Sequence, residues 1–342
     1  MEKIDRSYIR YIRYAAQGYI LLFLTYAGYR FYLFADHFAG NRLADTFITT
    51  TTVLSSRPAL VEGFLPIGAL MSLKLWLLTG IFDNIHPAGL VIFIAALLMA
   101  LLLRKSFCGW ICPVGALSDW LWRLRMKIFS NQFVMNRWID YSLRSIKYFL
   151  MTLFVYIIVI KMSSGAILGF IEGDYYKIAD VKMLYFFTRM SATTMTSLGV
   201  LFLLSVVYRN FWCRYLCPYG GLLGLLGVLS PLKITRNEQA CIHCHRCTDN
   251  CPSLLPVEQK PRVVSPECTG CLTCVSHCPA KGALNISFSA KKRLNPAVFV
   301  LLLAVIFFGS LGIGKLAGKW DSSVTYGDYQ RLIPHAVSLE HP

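Results

Sequence analysis

Charge is scarce in this chain. Asp, Glu, Lys and Arg make up 15% of its 342 residues, against roughly 25% in ordinary soluble domains. Acid is the scarcer sign, with 18 Asp and Glu against 34 Lys and Arg, for a net charge of +16. With 14% aromatic and 56% hydrophobic residues, such a chain cannot stay solvated as a disordered segment, and a fibrous repeat is excluded too. An integral membrane protein remains. The sign of the charge would suit a nucleic-acid partner, but the cations sit beside apolar runs, where membrane topology accounts for them. No nucleic acid is expected. Isolated cysteines are also absent, because all 12 fall into repeated motifs. That regularity argues against the disulfide framework of a small secreted domain and for metal ligands. No nucleophile–base pair and no Gly-rich nucleotide fold appears, so no catalytic residue is assigned.

Runs without charge do exist. Residues 84–103, 190–208 and 294–314 give 20, 19 and 21 residues, each near the ~20 needed to cross ~30 Å of hydrocarbon. Residues 14–29 end at Arg30, and 148–171 contain Lys161; both cations are read as snorkelling near helix ends. Five spans are therefore expected, the first an uncleaved anchor. Lys and Arg number 22 on the side holding residues 1–13, 104–146 and 209–293, and 9 on the other. The richer side is the cytoplasm. This places the chain in a bacterial inner membrane, with the N-terminus and every cysteine at or beyond the cytoplasmic face and the C-terminus in the periplasm. Residues 56–82, broken by Pro66, Lys74 and Gly80, are expected to lie on the membrane surface or to re-enter it. The stretch after Cys112, with Trp120 and Trp122, suits an amphipathic helix on the inner leaflet.

Eight cysteines form two C-x2-C-x2-C-x3-C-P runs with a period of 27: Cys241, Cys244, Cys247 and Cys251, then Cys268, Cys271, Cys274 and Cys278. This is the bacterial two-cluster ferredoxin pattern, in which the fourth cysteine of each run ligates the other cluster. One [4Fe–4S] cluster would use Cys241, Cys244, Cys247 and Cys278, the other Cys268, Cys271, Cys274 and Cys251. Zinc also accepts four thiolates, but it rarely uses two interlocked runs of this kind.

A second repeat has period 105. Cys108–Leu117 and Cys213–Leu222 both read C-x3-C-P-x-G-x-L, each after a span and a short basic stretch, and each follows an exterior lysine, Lys74 or Lys182. Two copies of one unit would bring the motifs together. In a helix, cysteines at i and i+4 share a face, so Cys108, Cys112, Cys213 and Cys217 are candidates for a further cluster. The alternative is buried structural cysteines or a redox thiol pair. Pro113 and Pro218 are expected to begin new helices. Haem is not expected. No C-x-x-C-H attachment string is read, and no mid-span pair of histidines is available; His37 and His86 are read as interface residues.

With these motifs in view, FCGWICPVGAL, FWCRYLCPYGGLLG and the CIHCHRCTDNCP…CTGCLTCVSHCP region resemble the NapH/NosR-like family of membrane-bound polyferredoxins. So do the exterior stretches EGFLPIGALMSLK and DVKMLYF. The resemblance implies electron transfer between the membrane, or its quinone pool, and a partner redox protein such as a multihaem cytochrome, a flavoprotein or a periplasmic reductase. Two departures limit it: nothing here has room for a large exterior flavin domain, and Ser164-Gly165-Ala166-Ile167 lacks the terminal Thr or Ser of a flavin-linking motif.

The expected architecture is an all-α polytopic membrane domain over 1–234, internally repeated. A small inserted α+β two-cluster ferredoxin domain follows over 235–290, and a last transmembrane helix with a short exterior tail over 291–342. The expected function is an electron-transfer subunit, within a larger oxidoreductase where it takes part in catalysis. The alternative is an accessory, maturation or redox-regulatory protein serving a metalloenzyme. Transport is disfavoured, since the spans hold almost no ionisable residues.

Overall fold

The computed structural model describes residues 6–40, 57–128, 135–288 and 292–341. The boundary expected at 290/291 and the exterior stretch 41–56 lie outside the described residues. The fold is mostly helical. Its helices are α1 (Ser7–Phe38), α2 (Pro66–Thr79), α3 (Pro87–Leu103), α4 (Ser106–Trp110), α5 (Pro113–Ile128) and α6 (Arg137–Val155), which runs on through a π turn at Tyr156–Lys161. There follow α7 (Ser164–Glu172), α8 (Ala179–Thr188), α9 (Ala192–Val207), α10 (Pro218–Leu229), α11 (Arg246–Asp249), α12 (Thr273–His277), α13 (Pro296–Leu316) and α14 (Tyr326–Leu332). The strands are β1 (Lys233–Arg236), β2 (Arg262–Val263), β3 (Leu284–Ser287) and β4 (Arg293–Leu294).

Two compact units divide the chain: residues 1–21, 95–152 and 199–308 form one, and residues 22–94, 153–198 and 309–342 the other. The first contains every cysteine. Its sheet has the order β2-β1-β3-β4, antiparallel throughout, with Ile234 opposite both Val263 and Ile286. These three side chains are buried together with Leu255, Val257 and Val275, each burial stabilising by about 1.5–3 kcal/mol. The sheet begins at Lys233, ahead of the first cysteine run, and so fixes the base on which the cysteine loops stand.

In the second unit, α2 packs its Met71 and Leu75 against Ile158, Ile167, Ile171 and Tyr176. Pro66 and Gly80, read from sequence as breaks, are the two ends of this helix: Pro66 begins it, and Gly80 closes it at φ 74°. Lys74 donates its ammonium to the carbonyls of Ile158, Val159 and Met162. Lys182 does the same for Ala336 and Leu339. Both lysines that accompany the longer repeat are thus helix and turn C-terminal caps, which favours a cation where carbonyls point out unpaired. Arg57 is buried between Glu62 and Asp180, at 2.6 Å from each.

Among the described residues two helices are long and apolar enough to cross a membrane, Trp138–Lys161 and Pro296–Leu316; the pair α8 and α9, bent by 78°, makes a third if counted as one span. The expected span 148–171 is corrected in extent. Its helix starts ten residues earlier, ends at Lys161, and a separate helix begins at Ser164 behind the Ser163 cap. Lys161 accordingly sits at the helix end. Helix α3, at 17 residues, is about 26 Å long and falls short of the full hydrocarbon thickness. Along α13, Leu301, Val305, Phe308, Ile313 and Leu316 are each more than half exposed. Helix α5 has the same inversion: Leu117, Leu124 and Ile128 face outward while Asp119 and Arg125 are buried. Apolar residues outside and charges within are what a lipid surround selects.

Candidate iron-sulfur sites

The period of 27 recurs in the backbone. His243 and Gly270, one repeat apart, have φ values of 52° and 59°, and His245 and Leu272 have 56° and 57°. In each loop the residues before and after the middle cysteine therefore adopt the left-handed conformation, which costs a non-glycine residue about 1–2 kcal/mol. Both turns fold their three cysteines around one space. After each loop a short helix carries the third cysteine, α11 for Cys247 and α12 for Cys274.

Two small cavities result. The first is lined by Cys241, Cys244, Cys247 and Cys278. The second is lined by Cys251, Cys268, Cys271 and Cys274, with Ile234, Leu255, Val257, Val263 and Leu272 around them. The fourth cysteine of each run thus stands with the other run. The first cavity is the outer one. Cys244 is the exposed cysteine of the twelve, and in the second, inner cavity Cys251, Cys271 and Cys274 are all buried. Burial and the neighbouring Cys271 thiol push Cys251 up to about 12.

Four cysteines around each cavity are a donor set that fits a [4Fe–4S] cubane, where each sulfur binds a different iron. The exclusion of c-type haem needs amending in its premise, because residues 241–245 read Cys-Ile-His-Cys-His, a C-x-x-C-H string of the haem-attachment kind. Here its cysteines share the outer cavity with Cys247 and Cys278. The Nδ1 atoms of His243 and His245 lie 3.1 and 2.6 Å from the two oxygens of Glu258.

The C-x3-C-P turns are built alike. Arg104 and Asn210 have φ values of 62° and 55° and precede the two turns. Helix α4 carries Cys108, and a π turn at Trp212–Leu216 carries Cys213. Both turns close with an i to i+5 bond, from Cys112 N–H to Phe107 O at 2.9 Å and from Cys217 N–H to Trp212 O at 3.0 Å. The expected i, i+4 helical face is therefore a wider turn ending at the second cysteine. Pro113 and Pro218 then begin α5 and α10. The Cys217 sulfur caps α10 by accepting from Gly220 N–H at 3.2 Å. A Cβ on Gly115 would lie 2.3 Å from the Cys108 carbonyl, so that position requires glycine.

The two turns converge. Burial, then the neighbouring thiols of Cys217, Cys112 and Cys108, raise Cys213 well above the usual thiol range. Burial pushes Cys108 up to about 12, with Cys112 and Cys217 adding to the rise, and Cys112 up to about 11. All four thiols thus act on one another.

The inner cavity is fastened to these turns. Trp110 Nε1 donates to Gly270 O at 3.2 Å, and a Cβ on Gly109 would meet Thr269 O at 3.1 Å and Cys271 Cβ at 3.4 Å. Arg104 donates to Val263 O and Ser265 O. From the second turn, Asn210 Nδ2 donates to Pro252 O and Arg214 to Ser253 O. Glu267, beside Cys268, accepts from Lys147 at 2.6 Å and from Tyr148 at 2.8 Å. Burial pushes Glu267 up, but Lys105 and Lys147 outweigh it and hold the carboxyl below its usual range. Arg104 was read only as a topology signal, and its residue type does not announce the left-handed backbone that turns it toward Val263 and Ser265; for Glu267 the clue was an acid directly before a ferredoxin cysteine in an acid-poor chain.

Four-thiol cavities on a small sheet, joined to helices with lipid-suited surfaces, define a membrane-bound iron–sulfur protein of the ferredoxin type. The comparisons agree. A family model described as a 4Fe–4S binding domain matches residues 85–131 and again 191–237, and one described as a 4Fe–4S dicluster domain matches 233–279. The chain belongs to the NapH-like family of membrane-bound 4Fe–4S ferredoxin-type proteins. It is 43% identical over 298 residues to YccM of Escherichia coli (strain K12), covering 85% of this chain and 83% of the relative. To the ferredoxin-type protein NapH of the same organism it is 24% identical over 276 residues, covering 78% and 85%. To the methylamine utilization ferredoxin-type protein MauN of Methylorubrum extorquens it is 25% identical over 190 residues, covering 54% and 58%. No solved structure matches the chain.

Proposed function

We propose that this protein is a membrane-bound electron-transfer subunit, moving electrons between the quinone pool or a cytoplasmic donor and a partner redox protein. One observation carries the reading: each cavity is lined by three cysteines of one run and the fourth of the other, the crossover expected of two [4Fe–4S] clusters. Cys241, Cys244, Cys247 and Cys278 would hold the outer cluster, and Cys268, Cys271, Cys274 and Cys251 the inner one. When bound, the clusters supply one-electron transfer. The chain's part is ligation and position. Cys108, Cys112, Cys213 and Cys217 form the remaining set, read as a third cluster site on the membrane side of the inner cavity. Names of relatives such as the ferredoxin-type protein NapH support the redox role.

The proposed topology is five spans, N-terminus and clusters cytoplasmic, C-terminus periplasmic, with membrane domain 1–234, ferredoxin domain 235–290 and a final helix with tail 291–342. The Lys and Arg asymmetry supports it. So does the fact that α1, α3, α6, α9 and α13 each contribute residues to both compact units.

The test is anaerobic purification in detergent with iron and sulfide assays, followed by EPR-monitored reduction with quinol. Two clusters bring about eight iron and eight sulfide, and a third raises both to about twelve. Zinc in place of iron overturns the assignment. A preparation loaded with iron that neither quinol nor a cytoplasmic ferredoxin or flavodoxin reduces overturns the electron-transfer role. Cys112→Ser is expected to lose the iron beyond eight, or to block reduction of the remainder by quinol. Unchanged iron and unchanged quinol reduction in that variant would make the four cysteines structural.

A further inference from the structure

Lys105 is a buried cation, 4% exposed, three residues before Cys108. Its neighbour Arg104 turns away toward Val263 O and Ser265 O. The left-handed backbone at Arg104 thus splits the pair, one cation to the ferredoxin lobe and one to the thiols. Where Gly220 lacks a Cβ, Lys105 Nζ would lie 3.3 Å from that position and Cys217 Sγ 3.5 Å. Gly227 in turn admits the Lys105 backbone N, which would stand 3.1 Å from a Cβ there. Two glycines of α10 therefore make the room that seats this ammonium beside the sulfur.

Glu267 is the acid that acts on Lys105, but both its oxygens are taken in hydrogen bonds by Lys147 and Tyr148, so Lys105 shares its charge between that carboxylate and the thiols. The second turn has no equivalent cation, because Asn210 stands three residues before Cys213 where Lys105 stands three before Cys108. One lysine faces four cysteines. A cluster on four thiolates carries net negative charge that grows on reduction, and a buried fixed cation at short range stabilises the reduced form most.

We infer that Lys105 is a positioning residue for the C-x3-C-P site: its ammonium is the counter-charge that lets Cys108, Cys112, Cys213 and Cys217 hold a cluster, and it sets that cluster's potential. The inference rests on the proposed third cluster. The residues fit such a group, since four half-buried cysteines with a buried cation beside them are a donor set with its compensation built in.

The test uses the full chain in detergent, comparing wild type, Lys105→Met and Lys105→Arg by iron content and EPR redox titration. In Lys105→Met the signal beyond the two ferredoxin clusters is expected to move to lower potential. At a fixed poise its reduced-to-oxidised ratio should fall at least tenfold, which is about 59 mV for one electron. Loss of that iron alone, with the other eight retained, has the same meaning. Lys105→Arg should stay within threefold of wild type, and the ferredoxin signals should not move in either variant. A Lys105→Met protein with full iron and an unshifted midpoint overturns the role of Lys105 and leaves the third cluster standing. Wild type with only about eight iron overturns the third cluster and the inference with it. If Lys105→Met does not accumulate, Lys105→Gln carries the same comparison.

Discussion

The two ferredoxin cavities share a sequence period, a backbone conformation and a ligand pattern, yet they live in different surroundings. At the outer cavity the loop from Ile242 to Arg246 is exposed throughout. At the inner one the equivalent residues from Thr269 to Thr273 are buried or nearly so, under Gly109, Trp110 and Phe299. Ligand spacing specifies what each site holds. What surrounds it decides with whom it exchanges electrons, and that depends on residues far away in sequence. The outer site opens to solvent, and the inner site faces the C-x3-C-P turns.

The largest expected effect comes from cutting the buried ion pair at the inner site. Lys147 is fully buried and its ammonium lies 2.6 Å from Glu267. Replacing it by methionine leaves a buried carboxylate next to Cys268 without its ion pair, with only the Tyr148 hydrogen bond and the field of Lys105 to offset it, at a cost of up to about 3–5 kcal/mol. Lys147→Met should lower the apparent Tm of the purified protein and lose inner-cavity iron first, both read on one preparation. A stable, fully loaded variant would mean that the inner site does not depend on this tie, and the contrast between the cavities would be one of exposure only.

A smaller effect is expected at Gly224 on α10. A Cβ there would stand 2.5 Å from the Pro266 carbonyl, two residues before Cys268. Backbone must move, so Gly224→Ala is expected to cost about 1–3 kcal/mol as an overpacking change. The iron signal that broadens in the EPR spectrum should be that of the inner site. Broadening of the outer signal would show that α10 supports both sites equally.

These effects mark what the sequence made legible and what it did not. The two three-cysteine loops were readable because ligand spacing on a tight loop is a local property, and the crossover that joins them rests on the period of 27. Pro113 and Pro218 as helix starts were readable for the same reason, a missing N–H at a fixed place. The wider i to i+5 turn at Cys112 and Cys217 was not, because helical spacing and a π turn put cysteines at the same sequence interval. The span over 148–171 was misjudged because hydropathy does not register the Ser163 cap that stops one helix and starts another. Lys74 and Lys182 looked alike in sequence and are alike in structure, but as caps on carbonyls supplied by distant segments. Those carbonyls carry no sequence signal.

The smallest effect tests the two loops at one register position. His243 and Gly270 are 27 residues apart and both left-handed, at φ 52° and 59°. At the inner loop, a Cβ on Gly270 would stand 3.1 Å from Leu103 O, so glycine is required there by both conformation and space. At the outer loop the His243 side chain is 65% exposed and its Nδ1 reaches Glu258 at 3.1 Å. His243→Gly relieves a left-handed non-glycine residue, worth about 1 kcal/mol, and gives up an exposed ion contact of about 0–1 kcal/mol. The two nearly cancel, so stability and iron content should stay close to wild type in a thermal melt of the loaded protein. Gly270→Ala should fall below wild type in the same melt, because strain and contact add where at His243 they oppose. Equal losses in both variants would mean that the outer loop is as tightly held as the inner one, and exposure of Cys244 would then be a poor guide to where a soluble partner docks.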